Sequence, residues 1–141
     1  VKTIAAILEH AAPLEPGFHF KIENPPYMAL VIEDIHELGP HGFPLISVAH
    51  YGEQNGDLMR DPEMLFEIYK HGEETKFIPT YWRNDYAGVE QYSVTQGADG
   101  PEVNERLQRE HAQFAAMWDR NLRDQGFLEG FKRQHKPPQT N

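Results

Sequence analysis

Residues 45–70 read LISVAHYGEQNGDLMRDPEMLFEIYK, and this stretch decides the fold. Residues 45–51 form an apolar strand pattern, and in residues 63–70 Met64, Phe66 and Ile68 alternate with Leu65, Glu67 and Tyr69. Alternation with a period of two is the pattern of a strand with two unlike faces. Asn55-Gly56 lies between the two runs, and this dipeptide favours a type I′ turn, in which both central residues need φ > 0. The centre of the chain is therefore expected to be an antiparallel hairpin, with Asp61-Pro62 turning the backbone before the second run.

Working outward, residues 27–38 and 18–22 predict two earlier strands, separated from residues 45–51 by the Gly39-Pro40-His41-Gly42 turn and from each other by Pro25-Pro26. Residues 76–83 and 89–94 predict two later strands, divided by a turn over residues 84–88. Every connection is short, which requires antiparallel neighbours because parallel pairing needs a long crossover. Pro79 inside the fifth strand predicts an edge or a bulge. Thr3 is expected to cap an N-terminal helix carrying Ile4, Ile7 and Leu8, stopped by Pro13 and by Pro16-Gly17. Near the C-terminus, Asp99 and Glu102 have capping-box spacing, and Pro101 suits a first helical turn. Val103, Leu107, Phe114, Trp118 and Leu122 then recur every three or four residues, predicting a helix of about six turns that Gly126 ends. The expected class is α+β: an antiparallel meander of about five or six strands, with an N-terminal helix and a long C-terminal helix on one face. Residues 1–134 are expected to form one domain, and residues 135–141, with Pro137 and Pro138, a mobile tail.

The chain has 141 residues, no cysteine, and a net charge of −9 from 22 acidic and 13 basic side chains. Absence of cysteine excludes thiolate metal sites, disulfides and cysteine nucleophiles, and suits the reducing cytoplasm. The acidic balance disfavours direct nucleic-acid binding through a broad phosphate-gripping surface. No apolar run approaches the roughly 18 residues of a spanning helix, so no membrane association is expected. Residues 1–12 read as a helix rather than a signal peptide. Gly-x-Ser-x-Gly elbows, glycine-rich phosphate loops and helical His-x-x-x-His pairs are all missing.

Two polar segments carry the candidate sites. His50, Glu53, Asp57, Asp61 and Glu63 offer nitrogen and oxygen ligands of the kind Mg²⁺ or Mn²⁺ would take, if the strand ends bring them together. Turn chemistry at Asp57 and Asp61 and local pairing of Arg60 explain most of these residues without any ligand. Glu67 and Lys70, three residues apart, are expected on opposite faces, unlike the acid–lysine pair of a metal-dependent nuclease. The second segment is Tyr81-Trp82-Arg83-Asn84-Asp85-Tyr86 with Glu90-Gln91-Tyr92. Tyr, Trp and Arg anchor interfaces because they bury area while keeping a polar end, although Trp82 is expected to pack in the core. His111, between Leu107 and Phe114, is expected to be a hydrogen-bonded core residue.

The string Ser47-Val48-Ala49-His50-Tyr51, then Gln54 through Met64, with Tyr81 to Asp85 and Gly88 to Gln91, resembles an uncharacterised bacterial family associated with plasmids, phages and integrative conjugative elements. The resemblance spans residues 27–94 and implies a small accessory protein of a mobile element; it transfers no catalytic residue. The expectation is thus a non-catalytic module that needs no cofactor and binds a protein partner through Arg60, Asp61, Glu63, Tyr81, Arg83, Asn84, Asp85, Glu90 and Gln91. The alternatives are a divalent-metal hydrolase or nuclease using His50, Glu53, Asp57, Asp61 and Glu63, and an acidic decoy for a DNA-binding protein.

Overall fold

The Asn55-Gly56 hairpin stands at the centre of the computed structural model, which describes residues 1–135. Asn55 and Gly56 have φ of 52° and 84°, as a type I′ turn demands. They join β3 (Pro44–Gln54) to β4 (Asp57–His71). Before this pair come α1 (Lys2–Ala11), β1 (His19–Ile22) and β2 (Ala29–Leu38); after it come β5 (Glu74–Asn84) and β6 (Val89–Tyr92). The six strands lie in the order of the chain and every pairing is antiparallel, so the sheet is a meander. A separate hairpin of β7 (Val94–Gly97) and β8 (Gly100–Val103) leads into α2 (Glu105–Asp124) and α3 (Phe127–Gln134).

The alternation along each strand sorts the two faces. Leu30 and Ile32 of β2, Ile46 and Val48 of β3, and Met64 and Phe66 of β4 form the core with Ile4 and Ile7 of α1, Trp118 and Leu122 of α2, and Phe127 and Phe131 of α3. Glu67 points to the opposite face and is fully buried there, beneath the β2–β3 loop. Its carboxylate accepts from the His41 and Phe43 backbone N–H groups at 3.1 and 3.3 Å and meets His41 Nδ1 at 2.9 Å. Gly39 lies so close that a β-carbon there would fall 2.2 Å from Glu67 Cγ. Lys70 lies on the helical face, along a groove beneath α1, so the two side chains do part as their spacing requires.

Several local expectations are corrected. Asp61-Pro62 does not end a strand: β4 runs through it for 15 residues, and a register shift between Ala49 and Tyr51 on β3 absorbs the irregularity. Residues 89–94 are not one strand, because Ser93 separates β6 from β7. Asp99 and Glu102 form no capping box; Pro101, Glu102 and Val103 belong to β8, and Val103 is exposed rather than on the helical stripe. The true cap is Asn104, whose side chain accepts from the Leu107 N–H. Thr3 lies inside α1 rather than before it. Pro79 does mark a bulge: Phe66 pairs with Pro79 and Leu65 with Tyr81, leaving Thr80 as the extra residue. His135 stacks on Phe131 with ring centroids 4.5 Å apart, and the rest of the expected tail, residues 136–141, lies outside the described residues.

The first turn of α1 is satisfied from far along the chain. Asp119 of α2 is buried and accepts from the backbone N–H groups of Thr3, at 3.0 and 3.1 Å, and Ile4, at 3.1 Å. A carboxylate there bonds orphan donors and complements the helix dipole. Asp119→Ala is expected to lower the unfolding free energy in urea by about 1–3 kcal/mol, with Asp119→Asn less damaging. Variants as stable as the wild type would show that this contact does not anchor α1.

Candidate interaction site on the open sheet face

β4, β5 and β6 lie side by side, and their register brings together residues far apart in the chain. Glu63 pairs with Arg83, Arg83 with Glu90, and Tyr81 with Tyr92. Partners across a ladder point to the same side, here the face away from the helices. The Asn84–Gly88 turn brings Asp85 back toward β4, where its N–H donates to the Arg60 carbonyl at 2.9 Å. In return the Arg60 N–H donates to Asp85 Oδ2 at 2.8 Å.

Two guanidinium groups and three carboxylates interlock around this exchange. Arg83 Nε donates to Asp85 Oδ1 at 2.6 Å, and Arg83 Nη1 lies 3.4 Å from Glu90 Oε2. Arg60 Nη1 lies 3.6 Å from Asp85, and Arg60 Nε 3.4 Å from Glu63 Oε1, where it is buried but not aligned to bond. Ser47 Oγ donates to Glu63 at 2.6 Å, and the Tyr92 hydroxyl to Glu90 at 3.1 Å. The Arg83 guanidinium is held in its charged form, chiefly by Asp85. Burial pulls the Asp85 carboxyl upward, but the Arg60 N–H and the two guanidinium groups outweigh it and leave its pKa below the ordinary value. Burial, and then the Glu90 carboxylate beside it, push the Tyr81 hydroxyl up to about 12.

Six of the nine expected binding residues, Arg60, Glu63, Tyr81, Arg83, Asp85 and Glu90, therefore meet on one face. The other three do not. Asn84 bonds Asp61 through Nδ2 at 2.6 Å, and strand parity places Asn84 on the side opposite Arg83. Gln91 also turns to the helical side, where its Oε1 accepts from His111 Nε2 at 3.0 Å. Sequence reading passes over Ser47 as a site residue, and it places Tyr92 in the second candidate segment without counting it among the binding residues. Tyr92 was detectable, since it stands two residues from Glu90 and shares its face, and it is 55% exposed.

The five expected metal ligands do not converge. His50 is buried against Trp118 and Phe127, Glu53 and Asp57 are exposed near the hairpin turn, Asp61 is bonded to Asn84, and Glu63 to Ser47. Among the described residues no group of three or more His, Cys, Asp or Glu side chains could hold a metal ion. The physical reason is the period of a strand. His50 and Glu63 point to opposite faces of the sheet, so nearness in sequence becomes separation across it.

The fold and this face define a small α+β sheet domain with a cross-strand arginine–carboxylate surface. The chain belongs to the family described as Domain of unknown function (DUF6908), whose model matches residues 2–128, from α1 to the start of α3. No curated protein and no solved structure matches it. Among the described residues no helix is long and apolar enough to cross a membrane.

Burial lowers the pKa of His50 and of His111 from the ordinary 6.5. Each ring binds its proton more weakly in the folded state than in the unfolded one. The stability it contributes is full above 6.5 and declines as pH falls toward the folded pKa. Unfolding free energy is thus expected to fall as pH drops below about 7, and His111→Phe to flatten part of that decline. NMR titration showing both rings protonating above 6.5 would contradict this.

Proposed function

We propose that this protein is a non-catalytic accessory protein of a bacterial mobile element, working in the cytoplasm by binding a protein partner through the open face of β4, β5 and β6. The observation that carries this reading is the preformed network of Arg60, Glu63, Arg83, Asp85 and Glu90, flanked by Tyr81 and the exposed ring of Tyr92. Such a surface suits a partner whose polar groups exchange with the rim while the exposed Tyr92 ring supplies contact area. Because the side chains sit on paired strands, they are ordered before binding, which limits the entropy lost on association. The link to mobile elements rests on the residue string from Gln54 to Met64 and its resemblance. The decoy reading is less well supported, since Glu63, Asp85 and Glu90 are each engaged by an arginine rather than presented as a bare acidic row.

Glu90 and Tyr92 form the outer rim and can be changed without opening the core. Glu90→Lys and Tyr92→Ala are expected to weaken partner capture at least about tenfold while the melting temperature moves by only a few degrees. The assay is affinity capture from the native host, quantified against an untagged control. Capture undiminished in both variants, or no protein retained above the control, would overturn the reading.

A further inference from the structure

β6 does not run the length of β5. It pairs with Tyr81 to Asn84 only, and after Tyr92 the chain departs. The Ser93 N–H donates to the Thr80 carbonyl at 3.0 Å, and Val94 enters the separate β7–β8 hairpin. Among the described residues, the outer edge of β5 from Glu74 to Ile78 therefore has no neighbouring strand. Glu74, Thr75 and Lys76 are exposed there, and Phe77 and Ile78 are half-buried.

The ladder fixes which main-chain groups this edge presents. Gly72 and Glu73 form a two-residue turn, so the flanking pair, His71 and Glu74, exchanges hydrogen bonds, and every second pair along the ladder does the same. Lys76 and Ile78 thus bond inward to Tyr69 and Glu67, while the N–H and C=O groups of Thr75 and Phe77 point outward. Pro79, next in this series, obeys the same parity: its carbonyl points outward and accepts from Gln108 Nε2 at 3.2 Å. Among the described residues no such partner meets the main chain of Thr75 or Phe77.

Side chains on the two sides of this edge differ in chemistry. Thr75 and Phe77 face the helical side, where they border the groove of about 810 Å³ beneath α1, with its apolar lining of Leu8, Leu14, Phe18 and Ile68. Lys76 faces the other side, opposite Tyr69, and among the described residues it makes no ion pair. A second copy of the chain fits this edge poorly. Antiparallel pairing about Lys76 matches Thr75 with Phe77 but sets two lysines directly opposite each other, which is destabilising. Pairing about Thr75 separates the lysines but sets Phe77 against Glu73 in the turn, leaving a single hydrogen-bonded pair. An edge lysine guards against self-association, yet it admits a strand that carries a carboxylate.

We propose that the outer edge of β5 takes up an extended segment of a partner protein in which two apolar β-branched residues flank an acidic one. The segment adds as an antiparallel strand in line with β6. Its apolar side chains stand opposite Phe77 and Thr75 and close the open side of the groove, and its carboxylate stands opposite Lys76. Main-chain bonds to Thr75 and Phe77 supply the pairing, and the alternation of side chains supplies the selectivity. The edge lies beside the open face rather than on it, so this inference does not rest on the network of Arg60 and Arg83.

The probe is the acetylated and amidated heptapeptide Ser-Thr-Ile-Glu-Val-Thr-Ser, titrated into the intact ¹⁵N-labelled chain. The expected result is a saturable shift and slowed exchange of the Thr75 and Phe77 amides, with those of Glu90 and Tyr92 unmoved. The same peptide N-methylated at its Ile and Val keeps every side chain but loses the two main-chain donors, and should bind at least about tenfold more weakly. Lys76→Glu should weaken the peptide at least about threefold, and a peptide with lysine in place of its glutamate should recover the loss. Thr75→Pro removes an outward N–H that β4 does not use, and should abolish binding while the melting temperature moves by only a few degrees. No saturable shift at Thr75 and Phe77, equal binding of the N-methylated peptide, or unchanged binding to Thr75→Pro would each overturn the proposal. So would a free chain that is dimeric and becomes monomeric with Thr75→Pro, because a second copy would then hold the edge.

Discussion

The pairing of β3 with β4 through Asn55-Gly56 is the constraint on which everything else depends. A two-residue turn with positive φ at both positions leaves the flanking strands one register. That register holds from Gln54 and Asp57 to Tyr51 and Arg60, and the one-residue shift at Asp61-Pro62 then places Ile46 and Val48 beside Phe66 and Met64 on the helical side, and Ser47 and Ala49 beside Leu65 and Glu63 on the other. A slip of one residue would exchange the faces, sending Glu63 and Glu67 into the apolar core. The helices have only one face on which to pack, and the polar network only one on which to assemble.

The two faces are held by different physics. The helical side is a hydrophobic core in which the buried polar groups are few and have specific jobs. Asp119 finishes α1, and His111 holds Gln91. The opposite side is polar, and its order comes from charge-assisted hydrogen bonds between strands and turns: Glu67 gathers the β2–β3 loop, and Asp85 ties the β5–β6 turn to Arg60. Exposed ion pairs contribute little stability, and the value of such a network lies in fixing side-chain positions.

Much of the architecture was legible in the sequence. The alternation in residues 63–70, the short connections, and the Asn-Gly and Gly-Pro-His-Gly turns are local signals, and they produce the meander order. The bulge at Pro79 was equally local, because proline lacks the N–H that a ladder needs. What escaped the sequence depended on distant partners. Nothing near Thr3 announces that Asp119 will satisfy α1, and the spacing of Asp99 and Glu102 fits a capping box as well as it fits the β-hairpin they form. The site was half legible for the same reason. Composition pointed to Arg60, Arg83 and Asp85, but parity along β5 and β6 decided that Asn84 and Gln91 would leave them, and parity across β3 and β4 separated His50 from Glu63.

The central claim is that the open sheet face, and not the helical surface, meets the partner. Site-specific photocrosslinking in the native host tests it most directly, with the crosslinking residue placed at position 90 on β6 or at position 109 on the exposed side of α2. The account predicts a discrete crosslinked product from position 90 and none from position 109. A product from position 109 alone would contradict it.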